Sequence, residues 1–109
     1  MNYKILNTSE FQKEIKHLSK KYPSLHNDFG VFLNQLSKNP FQGTPLGKNF
    51  YKVRLAISSK GKGKSGGARV ITYLRIAAET ILLIKHLRKS EKSTITEKEI
   101  NERLKRFPI

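Results

Sequence analysis

The sequence predicts an α+β domain: an N-terminal helical hairpin packed on a small, twisted antiparallel sheet, with a helix at the C-terminus. Three observations carry this reading. Residues 9–36 hold two apolar stripes at helical spacing. Residues 51–57 alternate with a period of two, and two further strand-like runs follow. A last helix-start signal stands at residue 96. Residues 1–109 are read as one domain without internal repeats.

Each element has its own signal. Tyr3 to Leu6 reads as a short edge strand. Ser9-Glu10-Phe11-Gln12 matches a capping box, with Ser9 as the N-cap and Gln12 reaching back. Phe11, Ile15, Leu18 and Tyr22 then recur on one helical face, and Pro23 ends the helix. Leu25, Phe29, Phe32, Leu33 and Leu36 form a second stripe that stops at Asn39-Pro40. The short link between the two predicts an antiparallel hairpin whose aromatic residues face the core. Residues 40–48, with Gly43, Pro45 and Gly47, read as a loop. Tyr51, Val53, Leu55 and Ile57 alternate with Lys52, Arg54 and Ala56, so one face of this strand is buried and the other presents charge. Residues 69–76 and 80–88 read as the next two strands, joined by a hairpin at Ala77-Ala78-Glu79. Thr96-Glu97-Lys98-Glu99 is a second capping box, opening a helix with Ile100, Leu104 and Phe107 on one face.

Charge narrows the function. The chain carries 22 Lys and Arg against 8 Asp and Glu, a net +14. Of this, +10 lies within residues 48–92, where eight Lys and four Arg face Glu79 and Glu91. Fixed cations concentrated around one sheet suit a polyanion, and binding through them should weaken steeply with salt. There are no cysteines, so disulfides, thiolate zinc sites and a cysteine nucleophile are excluded, and a reducing cytoplasm fits. The first seven residues are too short and polar for a signal peptide. The longest apolar run, Ile81-Leu82-Leu83-Ile84, falls far short of a membrane span. No His, Asp or Glu spacing suggests a metal site, and no cofactor is expected.

The candidate site is built from Lys52, Arg54 and Arg69, with the lysines of the glycine-rich stretch 60–67 beside them. Gly61-Lys62-Gly63-Lys64-Ser65 lacks the spacing of a P-loop and no helix follows it. Lys60, Lys62 and Lys64 are instead expected either to touch a nucleic acid or to sit on a plain mobile hairpin loop. Tyr73 either stacks on a base or packs half-buried on its strand. His86 either serves as a general base beside the basic face or lies under the helices. His17 and His26 read as exposed helical residues.

The element order, together with Tyr51-Lys52-x-Arg54, the Gly-Lys loop and Gly-Gly-Ala-Arg69-Val-Ile-x-Tyr, resembles the RelE/HigB toxins of bacterial type II toxin–antitoxin systems. The resemblance covers about residues 20–104 and is nearest the HigB-like branch, where a loop such as 60–67 precedes the arginine strand. It implies a RelE-like fold and a ribosome-dependent mRNA endoribonuclease, an mRNA interferase that inhibits translation. It also implies a cognate antitoxin, of the helix-turn-helix type in some members, through which operator DNA is bound. The 70S ribosome and mRNA are the implied targets, in the cytoplasm, with no membrane partner. An acidic or amphipathic segment would suit the basic face and any exposed apolar edge.

By the same resemblance, Lys52, Arg54 and Arg69 fall on the family's basic strand positions, and Arg88, Lys89 and Lys92 on the basic cluster after the third strand. A tyrosine follows that cluster in RelE, where this chain has Ile95. Metal-independent cleavage of RNA needs a base for the 2′-hydroxyl, cations for the phosphorane and an acid for the leaving 5′-oxygen. The products carry a 2′,3′-cyclic phosphate and a 5′-hydroxyl. Arg54 and Arg69 suit the phosphate, because a guanidinium is always charged and grips two oxygens. Lys52 is the expected base or acid, since neighbouring cations ease its proton loss. Lys89 and Lys92 would stabilise charge or donate a proton. Two other classes stay open on the same fold: a non-cleaving inhibitor, like the ParE toxins that poison DNA gyrase, and an RNA- or ribosome-binding module whose activity has decayed.

Overall fold

The computed structural model describes residues 3–58, 67–87, 98, 99 and 102. Five strands and two helices make up its body. They are β1 (Lys4–Asn7), α1 (Ser9–Lys21), α2 (Leu25–Lys38), β2 (Thr44–Gly47), β3 (Phe50–Leu55), β4 (Ala68–Arg75) and β5 (Thr80–Leu87). Residues 98, 99 and 102 are helical. Thr96, Ile100, Leu104 and Phe107, on which the expected last helix rests, lie outside the described residues.

The helices form where the apolar stripes lie, but the first cap is one residue earlier than expected. Thr8, not Ser9, is the N-cap of α1, its Oγ1 accepting from the Phe11 N–H at 3.2 Å. Thr8 is buried, and both its N–H and its hydroxyl donate to the Leu83 carbonyl of β5, at 3.2 and 3.1 Å. The neighbouring sheet thus selects the capping residue, while the Ser9 hydroxyl turns outward to donate to Glu10. Glu10 in the first turn and Lys20 and Lys21 in the last complement the helix dipole. In α2, Leu25, Phe32 and Leu36 form the buried face, and Asn39 ends the helix before Pro40.

The sheet order is β1-β5-β4-β3-β2. Strands β2 to β5 pair antiparallel, but β1 runs parallel to β5, so the sheet is mixed rather than wholly antiparallel as expected. The helical hairpin carries the chain from one edge of the sheet to the other, leaving β1 to pair with the last strand. Ile5 packs on the helix-side core and Leu6 on the core of the opposite face, so β1 is an edge strand anchored on both faces. β2 falls in the stretch read as a loop. Its Pro45 is tolerated because an edge strand leaves one side of its backbone unpaired. Lys48 and Asn49, at φ 53° and 69°, make the two-residue turn into β3, a geometry whose twist matches the strands it joins.

Both sheet faces carry apolar clusters. On one, Phe11, Leu25, Phe32 and Leu36 of the helices meet Val53, Leu55, Val70, Leu74, Ile81 and Leu83. On the other, Ile71, Leu82, Ile84 and Leu87 pack with Leu6, Phe50 and Tyr73. A bulge in β5 changes its phase: Thr72 opposes Leu83 but Ile71 opposes Lys85, leaving Ile84 as the extra residue.

The end of β3 is clasped by α2. Asp28 Oδ2 accepts from the Ser24 hydroxyl at 2.6 Å and from the Ser58 N–H at 2.8 Å, and its Oδ1 accepts from the Ser58 hydroxyl at 2.7 Å. Burial pushes this carboxyl up, but the bonds from Ser24 and Ser58 outweigh it, and its pKa lies below the ordinary carboxylate value. A carboxyl depressed on folding stabilises above its unfolded pKa, and that share is lost as pH falls through the folded one. Asp28→Asn should therefore cost about 1 kcal/mol in urea unfolding at neutral pH. The gap from wild type should narrow as the pH is lowered past the ordinary carboxylate range. Across the hairpin, a Cβ on buried Gly67 would lie 2.1 Å from the Leu55 carbonyl oxygen. Gly67→Ala should lower stability by about 2 kcal/mol, read as a shift of the urea midpoint.

Candidate active site

Register brings the predicted cations together. In an antiparallel pair, directly opposed residues share a face. Lys52 lies opposite Ile71, which in turn lies opposite Lys85, and Thr44 of β2 lies opposite Lys52. One row across four strands is thus Thr44, Lys52, Ile71 and Lys85. In the next row Arg54 lies opposite Arg69, and Arg69 opposite Leu87. Ile71 and Leu87 belong to the cluster away from α1 and α2, which places both rows on the helix-free face.

Lys52, Arg54 and Arg69 line one open hollow of about 310 Å³ together with Gln42, Gly43 and Thr44. Gly43, at φ 97°, lets the chain before β2 close on β3; a Cβ there would meet the Lys52 carbonyl oxygen at 2.5 Å. Arg54 is exposed, whereas Lys52 and Arg69 are half-buried. The Arg69 guanidinium donates through Nη1 to the Ala68 carbonyl at 3.2 Å. This takes one of its five donors and steadies the head beside the sheet.

The electrostatics are unfavourable for the protein alone. Two arginines face each other across β3 and β4, and like charges so opposed destabilise a sheet. Among the described residues, Lys52, Arg54 and Arg69 have no carboxylate partner. Two guanidiniums and an ammonium around one hollow give it an excess of positive charge and several N–H donors, which an anion from outside would offset. Among the described residues no His, Asp or Glu side chains gather to hold a metal ion, and no helix is long and apolar enough to cross a membrane.

The other expected residues divide. His86 lies opposite Val70, and Val70 belongs to the helix-side core. The β5 bulge thus turns the His86 side chain toward the helices, and the His86 backbone N–H donates to Glu14 Oε1 of α1 at 2.9 Å. Of its two expected placements the structure takes the one under the helices, across the sheet from the cations. His17 and His26 are exposed on α1 and α2. Tyr73 is half-buried and stacks on Phe50, with ring centroids 4.6 Å apart, so one face of its ring is taken by packing. Lys60, Lys62, Lys64, Arg88, Lys89, Lys92 and Ile95 lie outside the described residues.

Sequence reasoning missed Gln42, Gly43 and Thr44, because Pro and Gly hid the edge strand they precede or open. It also missed Lys85, which a strict two-residue alternation would have placed on the helix side. The bulge that moves it leaves no mark in composition.

No family model matches the chain, and no curated protein matches it. A solved structure does: the toxin RelE of E. coli, a double arginine-to-alanine mutant in the free state. The TM-score is 0.65 at 16% identity, over 99% of this chain and 100% of that one. The two share a fold: a helical hairpin on a five-stranded mixed sheet, the RelE-like α+β architecture.

If the hollow receives an RNA phosphate, Arg54→Ala should weaken binding of a short single-stranded RNA. It should also flatten the slope of log affinity against log salt by about 0.7, the share of one phosphate contact. Fluorescence anisotropy over a potassium chloride series measures both.

Proposed function

We propose that this chain is the toxin of a type II toxin–antitoxin pair, of the HigB-like branch, and that it cleaves mRNA on the ribosome. The single observation that carries the reading is the convergence of Lys52, Arg54 and Arg69 on one hollow of a RelE-like sheet. A binding face for any polyanion needs only scattered charge. Three cations around one hollow, two of them opposed at a cost in stability, suit the place where a phosphate changes its bonding.

The chemistry follows from those groups. A base removes the 2′-hydroxyl proton, the 2′-oxygen bonds to phosphorus, and the bond from phosphorus to the 5′-oxygen breaks as that oxygen takes a proton. The products are a 2′,3′-cyclic phosphate and a 5′-hydroxyl, and no metal takes part. Arg54 and Arg69 neutralise the phosphorane oxygens. Lys52, which lines the same hollow, moves a proton as base or acid in this reading. Lys89 and Lys92 supply further charge or the second proton, in a chain that has Ile95 where RelE has a tyrosine. Lys60, Lys62, Lys64 and Arg88 extend the contact along ribosomal RNA or mRNA. An antitoxin, acidic where it covers this face, silences the toxin in the cytoplasm and carries any operator binding.

The test is induction of the chain in bacteria with primer extension on a translated reporter mRNA, beside an Arg69→Ala chain of unchanged circular dichroism. Expected are cuts that keep to the reading frame and vanish when translation of that mRNA is blocked. They should be absent with Arg69→Ala, a loss of at least about 100-fold for a phosphorane-stabilising group. Growth arrest with intact mRNA would overturn cleavage and direct the search to a non-cleaving toxin.

A further inference from the structure

Glu99 brings a carboxylate onto the face that carries Lys52, Arg54 and Arg69. Its Oε1 and Oε2 each lie 3.0 Å from the Lys85 ammonium nitrogen. Lys85 reaches this face only through the β5 bulge, which sets it opposite Ile71 in the row of Lys52. Neighbouring strands are about 4.8 Å apart, so the backbones at Lys85 and Lys52 are separated by about 10 Å. Two long side chains close much of that gap, and one RNA backbone can touch both. The pair is part-buried, with 21% of the Lys85 side chain and 32% of the Glu99 side chain exposed. Both heads still reach solvent, so a competing anion can approach the ammonium and exchange with the carboxylate. A phosphodiester oxygen accepts the same ammonium N–H bonds that the carboxylate accepts here.

We propose that Lys85 is a further phosphate-binding residue for RNA, and that Glu99 occupies its subsite in the free chain as an internal anion which RNA displaces. This rests on the reading of the hollow as an RNA site. It adds a subsite two strands away from Lys52 and a brake on it. Glu99 lies in the C-terminal helical segment, fourteen residues beyond Lys85. Displacing the carboxylate therefore couples RNA binding to release of one tie between that segment and the sheet.

The experiment measures affinity of a short fluorescent RNA, 2′-O-methylated at every position so that it is not cut, by anisotropy over a potassium chloride series. The chains are wild type, Glu99→Gln, Lys85→Gln, the double variant and Lys85→Arg, each checked by circular dichroism. Glu99→Gln should tighten binding roughly two- to fivefold, the range for removing a competing pair near the surface. Lys85→Gln should weaken binding and flatten the salt slope by about 0.7. In the Lys85→Gln background the gain from Glu99→Gln should vanish, and Lys85→Arg should keep wild-type coupling. An equal gain in both backgrounds would reduce Glu99 to its general charge and overturn the proposal. Unchanged affinity in Glu99→Gln would overturn it too. Failure of the cleavage reading shows separately, as intact mRNA in cells while the Lys85–Glu99 coupling persists in this assay.

Discussion

The register of β3 against β4 sets the core and the candidate site together. Val53 against Val70 and Leu55 against Ala68 face the helices, while Lys52 against Ile71 and Arg54 against Arg69 face away. Side chains alternate across a strand, so a slip of one residue would bury the cations under α1 and α2 and expose the valines. The apolar side of this pair is therefore what holds its charged side in place. Gly67 allows the second strand to approach Leu55 closely enough for that register to begin, and Asp28 ties the end of the first strand to α2.

The cation face is a deliberate local loss. Opposed arginines repel, and the fold tolerates them because burial on the other side of the same strands outweighs the repulsion. Val53, Leu55, Ala68 and Val70 are each almost wholly buried, and a buried side chain of valine or leucine size is worth about 1.5–3 kcal/mol. Exposed like charges cost a fraction of that. Burial on the helix side thus lets the sheet carry a positive face without unfolding. The Lys85–Glu99 pair then marks where the chain supplies an anion of its own.

Strand β5 shows how one irregularity redistributes chemistry. Without the extra residue at Ile84, Lys85 would point to the helices and His86 to the cations. With it, an ammonium joins the cation face and an imidazole leaves it, and Glu14 of α1 accepts from the backbone N–H of His86. The same strand anchors α1 through Thr8, whose hydroxyl both caps the helix and reaches the Leu83 carbonyl. The bulge and the cap sit on adjacent residues, so the placement of α1 and the identity of the face residues are settled at one place.

What the sequence determined by itself is everything that depends on local periodicity. The stripes of Phe11 and of Leu25, Phe32 and Leu36 specified two helices, and the alternation from Tyr51 to Ile57 specified a strand with charge on one side. Lys52 and Arg54 were legible as neighbours because charge that recurs every second position on a strand must share a face, while Arg69 joins them through the register of β4 against β3. Only tertiary structure decided the rest. Thr8 rather than Ser9 caps α1 because a sheet carbonyl waits beside it. β1 lies parallel to β5 because the helices carry the chain to the far edge. β2 pairs in spite of Pro45 because an edge asks for bonds on one side only. Lys85 and His86 exchange faces because a bulge, which belongs to the pairing of two strands and not to either alone, shifts the phase between them. Periodicity is a property of a segment; face, edge and partner are properties of the assembled sheet.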